Sequence, residues 1–283
     1  MKRVILTGNG RKPAIAAVIS DLLPWLRERV ELAAVDLAME RDLRDVEADF
    51  AVILGGDGAI LATARRLGDN QVPAIGVNLG KFGFLAEVTV AQFREHFDRI
   101  PAGDFRVSPR MMLACALERG EALLAEHRAL NDVVVSRGAF SRLVSVGLVV
   151  DGTSTTTYNG DGVIVSTPTG STAHSLAAGG PVMDPVVQAT VITPLCPHTL
   201  TNRPVVLPAT AVVELRVEST PVDVGLTVDG QVYQQLLKGD RVVVRRAQAS
   251  FQLIDLGLRT YYDTLREKLH WSGSTACDPR RDR

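Results

Sequence analysis

The chain has 283 residues, 46% of them apolar and 22% charged, with a formal net charge of −1. That balance supports a buried core in one large domain or two ordinary ones, and it excludes the basic field of a nucleic-acid binder. No apolar run reaches membrane-spanning length, the start Met1-Lys2-Arg3-Val4-Ile5-Leu6 lacks the apolar stretch of a secretion signal, and the scattered cysteines and histidines show neither metal spacing nor a disulfide framework, so a cytoplasmic protein without a structural metal is expected.

The first third alternates strand and helix. Val4-Ile5-Leu6 predicts a strand that ends at Gly8-Asn9-Gly10, a plain turn or part of a phosphate cradle. Pro13 to Arg29 then sets Ile15, Val18, Ile19, Leu22, Leu23 and Leu26 at helical spacing. Leu32 to Leu37 reads as a strand. Phe50-Ala51-Val52-Ile53-Leu54 is a continuous apolar run, as a strand covered on both faces requires. After Gly55-Gly56-Asp57-Gly58, the residues Ile60, Leu61, Ala64 and Leu67 mark a helix, and Pro73 to Val77 another short strand. This order implies a Rossmann-like parallel sheet with crossover helices.

From about residue 105 the pattern turns to short β segments: Val133–Val135, Leu143–Val150, Val163–Val165, Val212–Val217, Leu226–Val228 and Val242–Val244. Asp229-Gly230 between strand-like flanks signals a hairpin. One helical interruption falls at Ser171 to Ala178. Tyr261 to Trp271 is helical again, with Tyr262, Leu265 and Leu269 on one stripe. The expected organisation is an α/β domain over 1–105, a β-rich domain over 106–253, a C-terminal segment over 254–271 and a disordered tail over 272–283.

Four constellations carry chemistry. Gly55-Gly56-Asp57-Gly58 lies at the carboxyl end of a buried strand and opens a helix, where glycines and free N–H groups admit a phosphate chain. Asp57 beside those phosphates can hold Mg²⁺ or take a proton from an attacking hydroxyl; the alternative is a tight turn with Asp57 capping the helix. In Asn78-Leu79-Gly80-Lys81-Phe82-Gly83-Phe84-Leu85, either Phe82 or Phe84 could pack on a base, and either could be core. Asn131 and Asp132 offer amide and carboxylate groups to a base edge and ribose hydroxyls, or form an Asx turn. The fourth block, Asn159 to Pro181, is dense in small and hydroxylic residues, including Asp161, Thr172, Ala173, His174 and Ala177. Small side chains allow close approach of a flat ring, and a helix start binds amides or phosphates. Asp161 could accept from a carboxamide or close a turn; His174 could stack on a ligand or be structural.

In this order the constellations resemble the NAD kinase family, and the likeness continues through Ile192 to Pro204 and Tyr262 to Leu269. Gly-Gly-Asp-Gly is shared with lipid kinases and phosphofructokinases; the Thr167–Ala173 block and the Cys196-Pro197-His198 segment are more specific. The resemblance implies an α/β phosphoryl-donor and catalytic domain that the C-terminal helix rejoins, and a β-rich NAD-binding domain. It implies NAD and ATP or polyphosphate as substrates, Mg²⁺ with the donor, and a homodimer or homotetramer. By matching motif, Asp57 looks like the catalytic carboxylate and Gly58 packs beside the reacting ribose. Asn131 contacts adenine and Asp132 the ribose hydroxyls. Phe84, Thr172 and Ala173 line the adenine side, Asp161 holds the nicotinamide amide, and His174, with Ala177 in the same block, lies near the nicotinamide half.

Two positions depart from the family: Ala59 stands where Thr is usual and His174 where Tyr is usual. Two rival readings remain. A lipid or sphingoid kinase would share Gly-Gly-Asp-Gly, yet no basic amphipathic segment is present. A non-catalytic dinucleotide-binding module would bind NADP without turnover. A dehydrogenase lacks its Gly-x-Gly-x-x-Gly here.

Overall fold

The computed structural model describes residues 1–80, 83–138, 143–199, 201–219 and 223–271. Lys81 and Phe82 of the aromatic loop, and the tail expected to be disordered, lie outside the described residues.

The apolar runs of the first third form a sheet as expected. Its order is Glu31–Asp36, Arg3–Gly8, Phe50–Leu54, Ala74–Asn78, Phe251–Asp255 and Arg106–Arg110, with Val88–Thr89 paired to Ala74–Asn78. Every pairing from Glu31–Asp36 to Phe251–Asp255 is parallel, and only the edge strand Arg106–Arg110 runs antiparallel to its neighbour. Phe50–Leu54 and Ala74–Asn78 are buried along their whole length, because helices cover both faces of a parallel sheet. Helix Pro13–Arg27 buries Ile15, Leu22 and Leu26 on one face; helix Asp57–Leu67 buries Ile60, Leu61, Ala64 and Leu67 on the other. On the first face Trp25, Phe93 and Phe97 pack edge to face, with centroids 4.9 to 6.2 Å apart.

Two six-stranded antiparallel sheets make the β-rich part. One runs Thr153–Gly160, Val144–Val150, Val213–Ser219, Arg241–Arg246, Leu113–Arg119, Ala122–Ala129; the other runs Val205–Pro208, Ala189–Leu195, Gly162–Ser166, Asp132–Arg137, Val224–Val228, Val232–Gln235. Alternate residues point inward from both, so Val133, Val135, Val163 and Val165 meet Cys115, Val146, Leu215 and Val244 in one core. The Asp-Gly signal is a hairpin: Asp229 has φ 51° and Gly230 φ 64°, the paired left-handed conformations of a tight two-residue turn.

The parts are fused by packing. Met112, Leu130 and Ala247 from the flanks of the β-rich sheets share a cluster with Ile53, Ile60, Leu85 and Phe251. The C-terminal helix Tyr261–Lys268 returns across both: Thr264 donates to Glu87 (3.3 Å), and the Tyr261 and Tyr262 hydroxyls donate to Met183 O and Asp184 (3.1 Å each). Its buried stripe is Thr264 and Leu265; Tyr262, expected on that stripe, is 62% exposed because its hydroxyl reaches outward to Asp184.

Phe251 is fully buried in the shared cluster. Phe251→Ala is expected to cost about 3–5 kcal/mol, read as a lower urea midpoint for the whole chain with one cooperative transition; two separated transitions would show that the parts are not fused.

Candidate active site

The helix Asp57–Leu67 begins beyond Gly55, whose φ of 139° suits glycine, and Gly56 occupies its N-cap position without any side-chain cap. Gly56 and Gly58 are exposed, and a side chain at Gly56 would meet nothing within 4 Å. The helix therefore presents its uncapped, dipole-positive start to open space, which is an anion site in its simplest form.

Asp57 does not cap its own helix. Its carboxylate accepts three backbone N–H groups from the opposite loop: Phe84 (2.8 Å), Leu85 (3.0 Å) and Ala86 (3.1 Å). The loop closes tightly around it, since a Cβ at Gly83 would lie 1.9 Å from Asp57 Oδ1. Asn78 ties the loop base, donating to Ala86 O (3.2 Å) and accepting from Gly80 N (2.8 Å). The carboxylate is thus fixed in direction while remaining half-exposed.

A cavity of about 300 Å³ lies on the outer face of the second antiparallel sheet. Asp132, Val134 and Ser136, alternate residues of one strand, form its floor with Thr227 beside them. Asn131, Ala173 and His174 form its walls. The hydroxylic block builds this wall by gripping the neighbouring turn. Thr167 donates through Oγ1 to Leu130 O (2.6 Å) and through N–H to Asn131 O (2.9 Å), and Gly170 sits so close that a Cβ there would meet Asn131 O at 2.2 Å. The helix expected over Ser171–Ala178 is broken into a 3₁₀ turn Thr169–Thr172 and a short α-turn His174–Ala177, with Ala173 as the break between them. That break puts Ala173 and exposed His174 at the cavity.

The half-sites meet at Gln231. Its amide donates to Gly58 O (2.8 Å) and accepts from Arg65 (2.9 Å), one residue from Gly230 of the cavity.

Comparison with known proteins agrees with this geometry. The family profile for the ATP-NAD kinase N-terminal domain matches residues 6–105, and that for the ATP-NAD kinase C-terminal domain matches 130–256. The chain belongs to the NAD kinase family. It is 43% identical to a NAD kinase of Geobacter metallireducens, covering 96% of this chain and 99% of that protein. A NAD kinase of Rhodopirellula baltica is 39% identical, with 97% and 88% covered. Among solved structures, yeast NADH kinase complexed with NADH superposes with a TM-score of 0.88 at 26% identity, over 98% of this chain and 90% of that one.

For a NAD kinase, the residues that the sequence singles out fall in three places. Asp57, Gly58 and Phe84 gather at the helix start; Asn131, Asp132, Ala173 and His174 line the cavity. Thr172 and Ala177 flank the wall without lining it, and the Thr172 hydroxyl is turned to Thr169 O (3.2 Å). Asp161 does not line the cavity; it stands one residue before Gly162, which pairs with Ser136 at the end of the strand away from Asp132. Its carboxylate is bound by Arg137 (2.6 Å), which holds it below the usual carboxylate range.

Asp229, Gln231 and Arg65 were not among the residues singled out. Asp229 read only as a hairpin residue, yet its fully buried carboxylate accepts N–H groups from Leu130 (3.0 Å), Asn131 (2.8 Å) and Asp132 (3.1 Å), with Arg65 at 3.9 Å. The placement depends on strand register, and nothing local in the sequence reports that. Asp132 has no such donors among the described residues. Burial, then the charge of Asp229, pushes its carboxyl up to about 7. Burial pushes the Asp229 carboxyl up as well, and its three N–H donors and Arg65 pull it back down.

The described residues contain no group of three or more His, Cys, Asp or Glu that could hold a metal. The donor set at the helix start, a single carboxylate already accepting three N–H groups, suits a divalent cation carried in on a triphosphate, with phosphate oxygens as its main ligands.

Asp132 binds more protons folded than unfolded between its ordinary range and about pH 7, so its contribution to stability falls as pH rises through that window. Asp132→Asn removes the slope. Relative to the parent, the variant should gain about 1.4 kcal/mol per pH unit as pH climbs from 5 toward 7, measured by urea unfolding; a constant difference would place the proton elsewhere. Asp229→Asn should lower stability by about 1–3 kcal/mol and return the Asp132 titration, followed by carboxyl NMR, toward its ordinary range.

Proposed function

We propose that the chain transfers the terminal phosphoryl group of ATP, or of polyphosphate, to the adenosine 2′-hydroxyl of NAD, giving NADP. The observation that carries this reading is the junction at Gln231, which sets the glycine-flanked helix start and its fixed carboxylate against the cavity of Asn131, Asp132 and His174. Family membership supports the reaction, and the yeast relative was crystallised with NADH.

In this mechanism the dinucleotide lies along the floor of the second sheet. Asn131 reads the adenine, Asp132 meets the ribose hydroxyls, and Phe84, Thr172 and Ala173 border the adenine. His174 and Ala177 lie toward the nicotinamide half, whose carboxamide is assigned to Asp161. Gly58 lets the reacting ribose approach the helix start. The donor phosphates take the N–H groups and positive dipole of that helix. Asp57 and the helix start would lie beside a Mg²⁺ carried in with ATP, which would supply neutralisation of the phosphate charge. As the 2′-oxygen bonds to phosphorus and the bridging oxygen leaves, Asp57 accepts the hydroxyl proton, aimed by the N–H groups of Phe84, Leu85 and Ala86. The chain is assigned to a homodimer or homotetramer, for which Val205 and Val206, 41% and 52% exposed on an edge strand, offer apolar surface.

Purified protein with NAD, ATP and Mg²⁺ should form NADP, detected by an NADP-specific dehydrogenase, and Asp57→Asn should lower kcat by about 10²–10⁴. NADP binding without turnover, with ATP and with polyphosphate, would leave a non-catalytic module instead. His174→Tyr should keep kcat and leave unchanged or lower the KM for NAD, since a larger ring stacks more area; a fall in kcat at saturating donor would give His174 a different role.

A further inference from the structure

A second cavity, of about 330 Å³, opens where two parallel strands of the first sheet part. Ala74–Asn78 and Phe251–Asp255 pair only at Ala74 and Leu253, and beyond that point Val88–Thr89 takes over the pairing with Ala74–Asn78. The first turn of helix Tyr261–Lys268 roofs the gap. No residue lining this space lines the cavity of Asn131 and Asp132.

Three arginines face it: Arg106, Arg110 and Arg259. Two are answered by the protein, Arg106 by Asp255 (2.9 Å) and Arg259 by Glu267. Arg110 is not. It is 7% exposed, its Nε is buried without an acceptor, and it makes no ion pair with a described carboxylate. Glu87, Asp184 and Asp255 act on it only at longer range. Glu87, bound to Thr264, faces the same space; burial pushes its carboxyl up from the usual range and the charge of Arg110 draws it back down, without an ion pair between them. A buried guanidinium without a partner is costly, and its planar fork of donors matches an oxyanion. Ser108 adds a hydroxyl to the lining, while the start of the roofing helix is already capped by Thr260 and Asp263.

We propose that this cavity is an anion site that takes a tetrahedral oxyanion, free phosphate or the phosphate of a compact ester, on Arg110. The site is separate from the substrates' sites and stands independently of the reaction assigned above. Its neighbour Leu85 lines the cavity and also gives its N–H to Asp57, so the anion sits directly behind the loop that aims the carboxylate.

The test is calorimetric titration of the full chain with inorganic phosphate at fixed ionic strength, with glycerol phosphate as the ester arm. A saturable site sensitive to Arg110 is expected, beside any weaker binding at the Gly55–Gly58 turn. Arg110→Met should weaken it at least about tenfold, and Glu87→Gln, which removes an opposing charge without touching the arginine, should tighten it. The ester displacing phosphate at equal or lower concentration assigns the site to compact esters; failure to displace assigns it to free phosphate. The absence of saturable heat overturns the proposal, leaving the cavity to water, and so does an affinity indifferent to Arg110→Met, which puts the phosphate at the Gly55–Gly58 turn. Should Arg110→Met fail to fold, Glu87→Gln decides alone, and an unchanged affinity there overturns the site.

Discussion

The cavity of Asn131 and Asp132 depends on one buried carboxylate. Asp229 lies at a hairpin tip and reaches across to the turn that precedes its neighbouring strand, where it takes the N–H groups of Leu130, Asn131 and Asp132. In water those donors would be satisfied many ways; in a buried turn they need a fixed acceptor. A carboxylate supplies one that binds all three, and the price is a negative charge held next to Asp132. Burial raises Asp132 and the neighbouring Asp229 adds to the shift, so the same contact that shapes the turn contributes to the protonation of the group that lines the cavity. Arg65 limits the cost on one side and, through Gln231 and Gly58, connects the hairpin to the helix start. Backbone geometry, electrostatics and the joining of the two half-sites therefore rest on the same few atoms.

The helix start at Gly56 works by a related device with opposite exposure. Asp57 also accepts three backbone N–H groups, but it stays half-exposed and its donors come from a loop of the other crossover. A carboxylate so held cannot swing away when a phosphate chain arrives, and positioning is what phosphoryl transfer asks of a protein. The helix start beside it has a glycine at the N-cap position and no side-chain cap, at a cost in helix stability of only a few tenths of a kcal/mol relative to a hydroxylic cap. The N–H groups that a serine or aspartate would have occupied remain for the ligand.

Much of this fold is legible in the sequence because burial dictates composition. Phe50–Leu54 and Ala74–Asn78 are covered on both faces and read as unbroken apolar runs. Asp229-Gly230 reads as a tight turn because few other residues tolerate two left-handed positions in succession. Thr153–Gly160 is a strand almost devoid of apolar residues, since it lies at a sheet edge with most residues exposed, and periodicity gives no sign of it. The expected end of the β-rich part, residue 253, falls inside Phe251–Asp255, and only long-range pairing places that strand in the parallel sheet. The site divides the same way. Motif residues such as Asp57 and Asn131 are visible because their chemistry is local. Asp229 and Gln231 matter through partners about a hundred or more positions away, and a single sequence does not report such distances.

The two departures from the family pattern fall where this architecture absorbs them. Ala59 is the third residue of the helix, its N–H bonded to Gly56 O (2.9 Å) and its methyl half-buried against the shared cluster. A hydroxyl there would add one contact to phosphates already met by the helix start, so its loss weakens a redundant interaction. It leaves untouched the N–H groups that hold Asp57 and the glycines that admit the donor. His174 lies exposed at the cavity mouth, after the break at Ala173 that fixes its backbone. Because the wall is built by Thr167 and Gly170 gripping Asn131, the ring at 174 contributes contact area without supporting the wall. Exchange of a phenol for an imidazole changes how much of the ligand is covered, while the floor of Asp132, Val134 and Ser136 and the acceptor turn keep their shape.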